Sequence, residues 1–493
     1  MNLISNFNSK TILYNNKNES FEKNQIRQNK MWENPFYYFR VPYINNKGEE
    51  IIREIKIDVS LTAWSKEISQ GYKNVLKCLI SPSADYAIRH VLDYGCGKLN
   101  SVNFIMRYNK NITVVDFKEL LEKHDYLEEK LKNLQKTKKF KKMEFPNPFI
   151  EDQSKYDLGL LANVLPFMPV FLERLYVLQI LHQKIKEDKF LIWFAMKNPH
   201  NYRKREPYNK YHLGDGIWLR EELAEYKTFY KYHPPDYLNL IMYFSGYHLL
   251  RTFKVAANDS FLFKRTEHNL LSDIVDVELL NKIRNYQMIF SNNGVKKKSK
   301  IRGEITPYPE NHTLYNIIKI CLENIAPGQK SEGHPNKFKR IAAGILNFLF
   351  FNQTYDMEIE EKVDADRSQI DITMRPLDKE GFFKALRKKH DIRCPVVFIE
   401  AKNKSGELEN ADYQQLFDRF GPKRGMFGIL VCRKKFSEKE ILIQLAKRKD
   451  KDKGYAIVLS DNDLLSLLKL KLEDGDESIN QFFEKAITKL LLT

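Results

Sequence analysis

Two short strings near the C-terminal end carry residue types able to cut a phosphodiester. One is Gln369-Ile370-Asp371-Ile372-Thr373-Met374, the other Val396-Val397-Phe398-Ile399-Glu400-Ala401-Lys402-Asn403. Side chains alternate across a strand, so Glu400 and Lys402 must share one side of theirs. If the two apolar runs pair, Asp371 joins them. Two carboxylates and an ammonium at one strand end can hold a hard divalent cation and steady a water beside a phosphate. The bland counterpart is a turn residue ending one strand and a surface ion pair on another. An Asp followed at a distance by Glu-x-Lys often arises by chance.

A second set lies earlier. Asp93-Tyr94-Gly95-Cys96-Gly97 follows the apolar Val91 and Leu92, and Asp116 closes the next apolar run. Glycines let a backbone approach a ligand closely, and a carboxylate some 20 residues on can accept hydrogen bonds from ribose hydroxyls. The layout is that of a nucleotide site.

These residues need elements to position them. Around the glycine turn, strands are expected at Val91–Tyr94, Ile112–Phe117, Tyr156–Asn163 and Phe190–Ala195. Helices are expected at Ser101–Tyr108 and Val170–Ile185, with a closing strand pair at Tyr247–Val255 and Ser260–Arg265. Strands with helices between them imply right-handed crossovers and a parallel sheet. Ahead of this unit, an Asn/Lys-rich segment and the aromatics Trp32, Phe36, Tyr37, Tyr38 and Phe39 lead into a predicted helix, Thr62–Leu79. Behind it come helical periodicity over Leu270–Phe290 and a basic stretch, Gly294–Gly303, which reads as a solvated linker or a phosphate-contacting loop. A second α/β pattern then runs through the amphipathic helix Phe338–Phe350, the Asp371 and Glu400 strands, a helix Tyr413–Phe420 and the strands Phe427–Cys432 and Ala456–Leu459. On that helix Tyr413, Leu416, Phe417 and Phe420 form the buried stripe, which leaves Gln415 free to face the acidic cluster.

The C-terminal strings resemble the PD-(D/E)XK restriction-endonuclease-like superfamily over about residues 314–493. Many members place a glutamine on the helix after the Glu-x-Lys strand, as Tyr413-Gln414-Gln415-Leu416-Phe417 does, and Gly425–Arg433 matches the strand that follows. The resemblance implies a Mg²⁺-dependent endonuclease with Asp371 and Glu400 as metal ligands and Lys402 and Gln415 as further catalytic residues. That family often adds a glutamate from its first helix. Here the helix reads Asn336-Lys337-Phe338-Lys339-Arg340, and Glu332 lies ahead of Pro335, so the metal would rest on Asp371, Glu400, the Ala401 carbonyl and waters.

Residues 85–266 resemble the class I S-adenosylmethionine-dependent methyltransferases. Asp93, Gly95 and Gly97 fit the family's acidic residue and Gly-x-Gly-x-Gly, with Leu99 at the usual third glycine. The resemblance makes Asp93, Gly95, Gly97 and Asp116 the cofactor residues and S-adenosylmethionine the cofactor. Asn163-Val164-Leu165-Pro166-Phe167-Met168-Pro169 has no Pro-Pro-aromatic motif of the kind that holds a flipped base, nor is there a Pro-Cys pair for attack on cytosine. The segment is closer to RNA or small-molecule methyltransferases. Asp93–Gly97 with Asn163-Val164-Leu165 also resembles methyltransferase-like proteins of bacterial phage-defence clusters. That likeness implies DNA rather than RNA as the nucleic-acid partner, and further copies or other defence subunits as protein partners.

Composition sets the outer bounds. A chain of 493 residues exceeds one core, and length alone suggests about three domains. The hydrophobic fraction of 43% and aromatic fraction of 13% suit packed domains. A net charge of +17 points to an anionic partner such as nucleic acid, although a lysine-rich proteome would produce the same excess. The five cysteines form no C-x-x-C pair, which speaks against a zinc ribbon or disulfide framework and suits a reducing cytoplasm. Met1–Asn18 lacks an apolar signal core, and no apolar run approaches the roughly 18 residues that span a bilayer. The expected fold class is therefore α/β, a cytoplasmic chain with no membrane contact. It divides into an extension with a helical segment (1–84), a Rossmann-like methyltransferase-like domain (85–266), a helical, basic linker (267–313) and a restriction-endonuclease-like α/β domain (314–493).

Three readings follow. The first is a metal-dependent nuclease acting on foreign DNA, with the middle domain sensing, modifying or scaffolding. The second is an RNA or small-molecule methyltransferase with a nucleic-acid-binding C-terminal domain. The third is a non-enzymatic nucleic-acid-binding subunit.

Overall fold

The computed structural model describes residues 36–44, 50–58, 68–196 (except 123–124, 163 and 169–170), 212–213, 217–221, 227–230, 233–275 (except 256–257 and 273) and 309–493 (except 329–333, 364–367, 378 and 450–452). Met1–Asn18, Trp32, residues 276–308 of the expected linker and Glu332 lie outside the described residues. The chain divides into two compact units, 1–234 with 241–310, and 311–493 with 235–240.

The first unit contains a seven-stranded sheet. Its strands are β3 (His90–Tyr94), β4 (Asn111–Phe117), β5 (Phe140–Phe145), β6 (Tyr156–Ala162), β7 (Ile185–Met196), β11 (Tyr247–Val255) and β12 (Asn258–Arg265), in the order β11-β12-β7-β6-β3-β4-β5. β3 to β7 are parallel to one another, and β12 runs antiparallel to both β7 and β11. This is a Rossmann-like, doubly wound sheet. Its order reverses between β3 and β6, and the crevice beyond the strands' carboxyl ends at such a point is where ligands bind in open α/β sheets. The helix Phe171–Lys184 and the sheet cover each other, so β6 is apolar almost throughout, as a strand buried on both faces must be.

Three expectations need correction here. The helix expected from Thr62 is described only as Gln70–Ile80, opened by the Ser69 hydroxyl, which accepts the Tyr72 N–H. Phe36, Tyr37, Tyr38 and Phe39, to which the sequence reading gave no element, belong to a hairpin: β1 (Phe36–Ile44) pairs antiparallel with β2 (Glu50–Asp58). Aromatic and β-branched residues fit a pleated surface better than a helix. This hairpin joins β8 (His212–Leu213), β9 (Ile217–Glu221) and β10 (Lys227–Tyr230) in a second sheet that the sequence did not suggest. Finally, Leu270–Ser272 form a turn where a helix was expected to begin; the rest of that expected helix, apart from Ile274 and Val275, lies outside the described residues.

The second unit is a mixed five-stranded sheet, β13 (Thr354–Val363), β14 (Ser368–Pro376), β15 (Val397–Lys402), β16 (Phe427–Cys432) and β17 (Tyr455–Ser460), in sequence order. The first three strands are antiparallel; β15, β16 and β17 are parallel. The helix Asn410–Phe417 makes the crossover from β15 to β16, and the helix His334–Phe350 packs against β13, β14 and β15. Phe350, Phe382, Phe383, Phe427 and Phe483 interlock beneath the sheet, all of them buried.

Candidate functional site

β15 is the middle strand of its sheet. Val397, Phe398 and Ile399 are apolar because both faces of the strand are covered, and the chemistry begins only at its carboxyl end. Ile372 pairs with Ile399 across the antiparallel β14–β15 ladder, which brings Asp371 opposite Glu400. Asp371 Oδ2 accepts the Ala401 N–H at 3.0 Å. Glu400 and Lys402 share a side as their spacing requires, with Lys402 Nζ 3.4 Å from Glu400 Oε2. Lys402 Nζ also donates to Gln415 Oε1 at 2.6 Å. The helix carrying Gln415 starts with a reciprocal cap in which Asp412 accepts the Glu409 N–H at 2.8 Å. Tyr413, Leu416 and Phe417 are buried beneath it, and this fixes the face from which Gln415 reaches the strand. All four sequence-predicted residues of this centre therefore meet.

Three more charged residues join them. Arg419, just past that helix, places Nε 3.7 Å from Glu400 Oε1 and donates through Nη2 to the Gln369 carbonyl at 2.8 Å. Lys339, on the helix His334–Phe350, places Nζ 3.0 Å from Asp371 Oδ1 and 2.9 Å from Glu360 Oε1. Lys339 was visible in sequence as a base where an acid is usual. Arg419 was findable as the polar residue four positions, about one helical turn, after Gln415. Nothing in the string around Glu360 marked it.

Glu400 is fully buried, and burial pushes its carboxyl up to about 7; the nearby Asp371 charge adds to the rise while Lys402 and Arg419 oppose it. Its Oε1 has no hydrogen-bond partner among the described residues, and neither does Arg419 Nε. No group of three or more His, Cys, Asp and Glu placed to hold a metal occurs among the described residues. The donor set is thus the pair Asp371 and Glu400. A buried carboxylate oxygen lacking a donor, repelled by a second carboxylate, fits one hard cation completed by waters.

The glycine turn lies at the switch point of the first unit's sheet. Gly95 (φ +70°) and Gly97 (φ +50°) adopt left-handed backbone, and the Gly95 and Cys96 N–H groups donate to the Val115 carbonyl on β4. Asp93 is buried and accepts the Ser101 hydroxyl; burial pushes its carboxyl up to about 6. Asp116 accepts the Gly97 N–H through Oδ2 and the Phe117 N–H through Oδ1, each at 2.9 Å, and burial raises it to about 6 as well. Asp116 thereby ties the end of β4 to the glycine turn after β3. Leu99 (φ +57°), at the usual third glycine, turns its side chain into the core and obstructs nothing. Val164 packs against Gly95, with its Cγ2 2.4 Å from where a Cβ there would sit, so only glycine fits at this turn. In this arrangement the four residues meet as expected at the switch point, and the Asp116 carboxylate, with two N–H donors, keeps acceptor capacity for a further donor.

No family model and no curated protein matches the chain. Solved structures do. A 1,6-didemethyltoxoflavin-N1-methyltransferase from Burkholderia thailandensis is 14% identical, with a TM-score of 0.30 over 40% of this chain and 78% of that one. A methyltransferase from Methanosarcina mazei is 12% identical, with a TM-score of 0.32 over 41% of this chain and 100% of that one. The chain spans 56% of an O-methyltransferase family protein, also from Burkholderia thailandensis, at 11% identity and a TM-score of 0.29. Likeness this low decides no function. The Rossmann-like description rests on the strand order alone. Among the described residues no helix is long and apolar enough to cross a membrane.

Proposed function

We propose that the C-terminal unit is a metal-dependent endonuclease acting on DNA. The observation that supports this reading is the meeting of Asp371, Glu400, Lys402 and Gln415 from three separate elements around a buried carboxylate oxygen without a donor. Asp371 and Glu400 would hold a Mg²⁺, which when bound supplies polarisation of the scissile phosphate and charge for the leaving oxygen. Lys402, its ammonium aimed by Gln415, orients the attacking water and offsets charge that grows on the phosphate. The net charge of +17 suits a polyanion held mainly by phosphate contacts, whose affinity falls steeply with salt. Service in defence against foreign DNA is part of the proposal and rests on resemblance alone. Incubating plasmid with the full chain, with and without Mg²⁺, tests it: metal-dependent cutting lost in Glu400→Gln is the expected result, and cutting that survives in that variant defeats the assignment.

A second reading is supported by the switch-point glycine turn: an S-adenosylmethionine-dependent methyltransferase acting on RNA or a small molecule through the first unit. Calorimetry with S-adenosylmethionine separates the two.

A further inference from the structure

Both oxygens of Asp371 are engaged in this structure. Oδ2 takes the Ala401 N–H and Oδ1 takes the Lys339 ammonium, which is shared with Glu360. The lysine side chain is only 12% exposed, so its charge is met by protein groups more than by water. Glu360 falls opposite Asp371 in the β13–β14 ladder, between the pairs Ile359–Ile372 and Glu361–Ile370. Its backbone is left-handed, with φ +63°, a conformation that a residue other than glycine keeps only when its surroundings impose it. Helix His334–Phe350, strand β13 and strand β14 thus each contribute one member of a charged triad. That triad borders Glu400, whose Oε1 is buried and lacks a hydrogen bond.

We propose that Lys339 is the built-in counter-ion of this centre: its ammonium competes with a divalent cation for Asp371, and Glu360 is the seat it keeps when the cation enters. This rests on the nuclease reading and adds a positioning residue to it. Opposite charges at such distances stabilise each other strongly where water is scarce. A cation bridging Asp371 and Glu400 must therefore share Asp371 with Lys339 or displace it toward Glu360. The centre would hold its metal loosely and would not gather a second ion beside Asp371.

Titrating the full chain with Mn²⁺ in a calorimeter, without nucleic acid, tests the idea. Lys339→Gln should bind Mn²⁺ about tenfold more tightly than wild type, the scale on which partners of metal ligands act. Lys339→Arg should stay near wild type, and the gain should vanish in Lys339→Gln/Asp371→Asn. Unchanged or weaker binding in Lys339→Gln overturns the proposal while leaving the nuclease reading standing. Glu360→Gln, which leaves the ammonium on Asp371 alone, should weaken Mn²⁺ binding and tests the same claim if Lys339→Gln does not fold; tighter or unchanged binding there counts against it. Mn²⁺ affinity that is the same in wild type, Asp371→Asn and Glu400→Gln removes the metal from this centre, and both the proposal and the nuclease reading fail.

Discussion

The side-chain oxygen of Gln415 holds the Lys402 ammonium at 2.6 Å. An ammonium on a flexible stem gains little precision from its strand alone, so a fixed acceptor decides where its remaining protons point. Gln415 is exposed and contributes nothing to the core. Gln415→Leu is expected to slow cleavage roughly tenfold to a hundredfold, as loss of an orienting partner does, with an unchanged melting temperature. Lys402→Ala should abolish cleavage. Equal rates for Gln415→Leu and wild type would remove the glutamine from the mechanism.

Glu400→Gln separates chemistry from stability. The folded-state carboxyl is raised to about 7, so the folded protein binds its proton more tightly than the unfolded chain does. The sign follows: this group costs nothing below the unfolded value near 4.5, costs progressively more as pH rises through 7, and carries its full cost above. The amide, equal in shape, should melt higher than wild type at pH 8 without metal, and the gap should close toward pH 5. Its cleavage should be lost at every pH. A variant that melts lower than wild type at pH 8 contradicts this account of the buried carboxylate.

The strands around this centre were legible because Val-Phe-Ile followed by Glu-Ala-Lys carries both the burial of a central strand and the two-residue period that pairs Glu400 with Lys402. Glu360 was not, and the sequence marked Lys339 and Arg419 without showing which carboxylates they meet, since those contacts depend on helix packing and on a left-handed residue within β13. The β1–β2 hairpin was missed because its aromatics were noted only as a cluster ahead of a helix and given no element. β5, Phe-Lys-Lys-Met-Glu-Phe, is half charged and lies at the sheet's edge, and its charges hid it. At the glycine turn the sequence placed Asp93, Gly95, Gly97 and Asp116 together. It showed Leu99 at the usual third glycine, but not that Val164, on a neighbouring loop, packs against Gly95.

His182 gives the first unit a defined acid sensitivity. It is buried, its Nε2 lies 2.9 Å from the Thr266 carbonyl, and burial lowers its folded-state value from 6.5 to about 4. The unfolded chain therefore takes up the proton first. The stabilising contribution is complete above about pH 6.5 and is lost as pH falls toward 4. Relative to His182→Gln, which can still donate to Thr266, wild type should lose about 2 kcal/mol between pH 7 and pH 5. Comparing denaturant melts of the two proteins isolates this group from Asp93 and Asp116, which titrate in the same window with the opposite sign. A constant difference between the two proteins across that range would show that His182 is charged or solvated in the fold.

Cofactor binding by the first unit should be weak. Both Asp116 oxygens already accept backbone N–H groups, those of Gly97 in the glycine turn and of Phe117, and Val164 packs against Gly95. A cofactor seated at Gly95 and Asp116 would adjust the Gly97 contact and Val164. Each adjustment subtracts from the affinity, and the expected dissociation constant is about 1 mM or weaker, near 4 kcal/mol of binding free energy. Val164→Ala should uncover Gly95 and tighten binding measurably, while Asp116→Ala should not. No methyl transfer to DNA is expected, because the segment after β6 lacks the Pro-Pro-aromatic grip on a flipped base. Two results would overturn this: micromolar binding of S-adenosylmethionine or its demethylated product by the wild-type chain, and transfer of a labelled methyl group to DNA. If Val164→Ala gains nothing while wild type stays weak, the closure lies in Asp116 and its loop rather than in the valine.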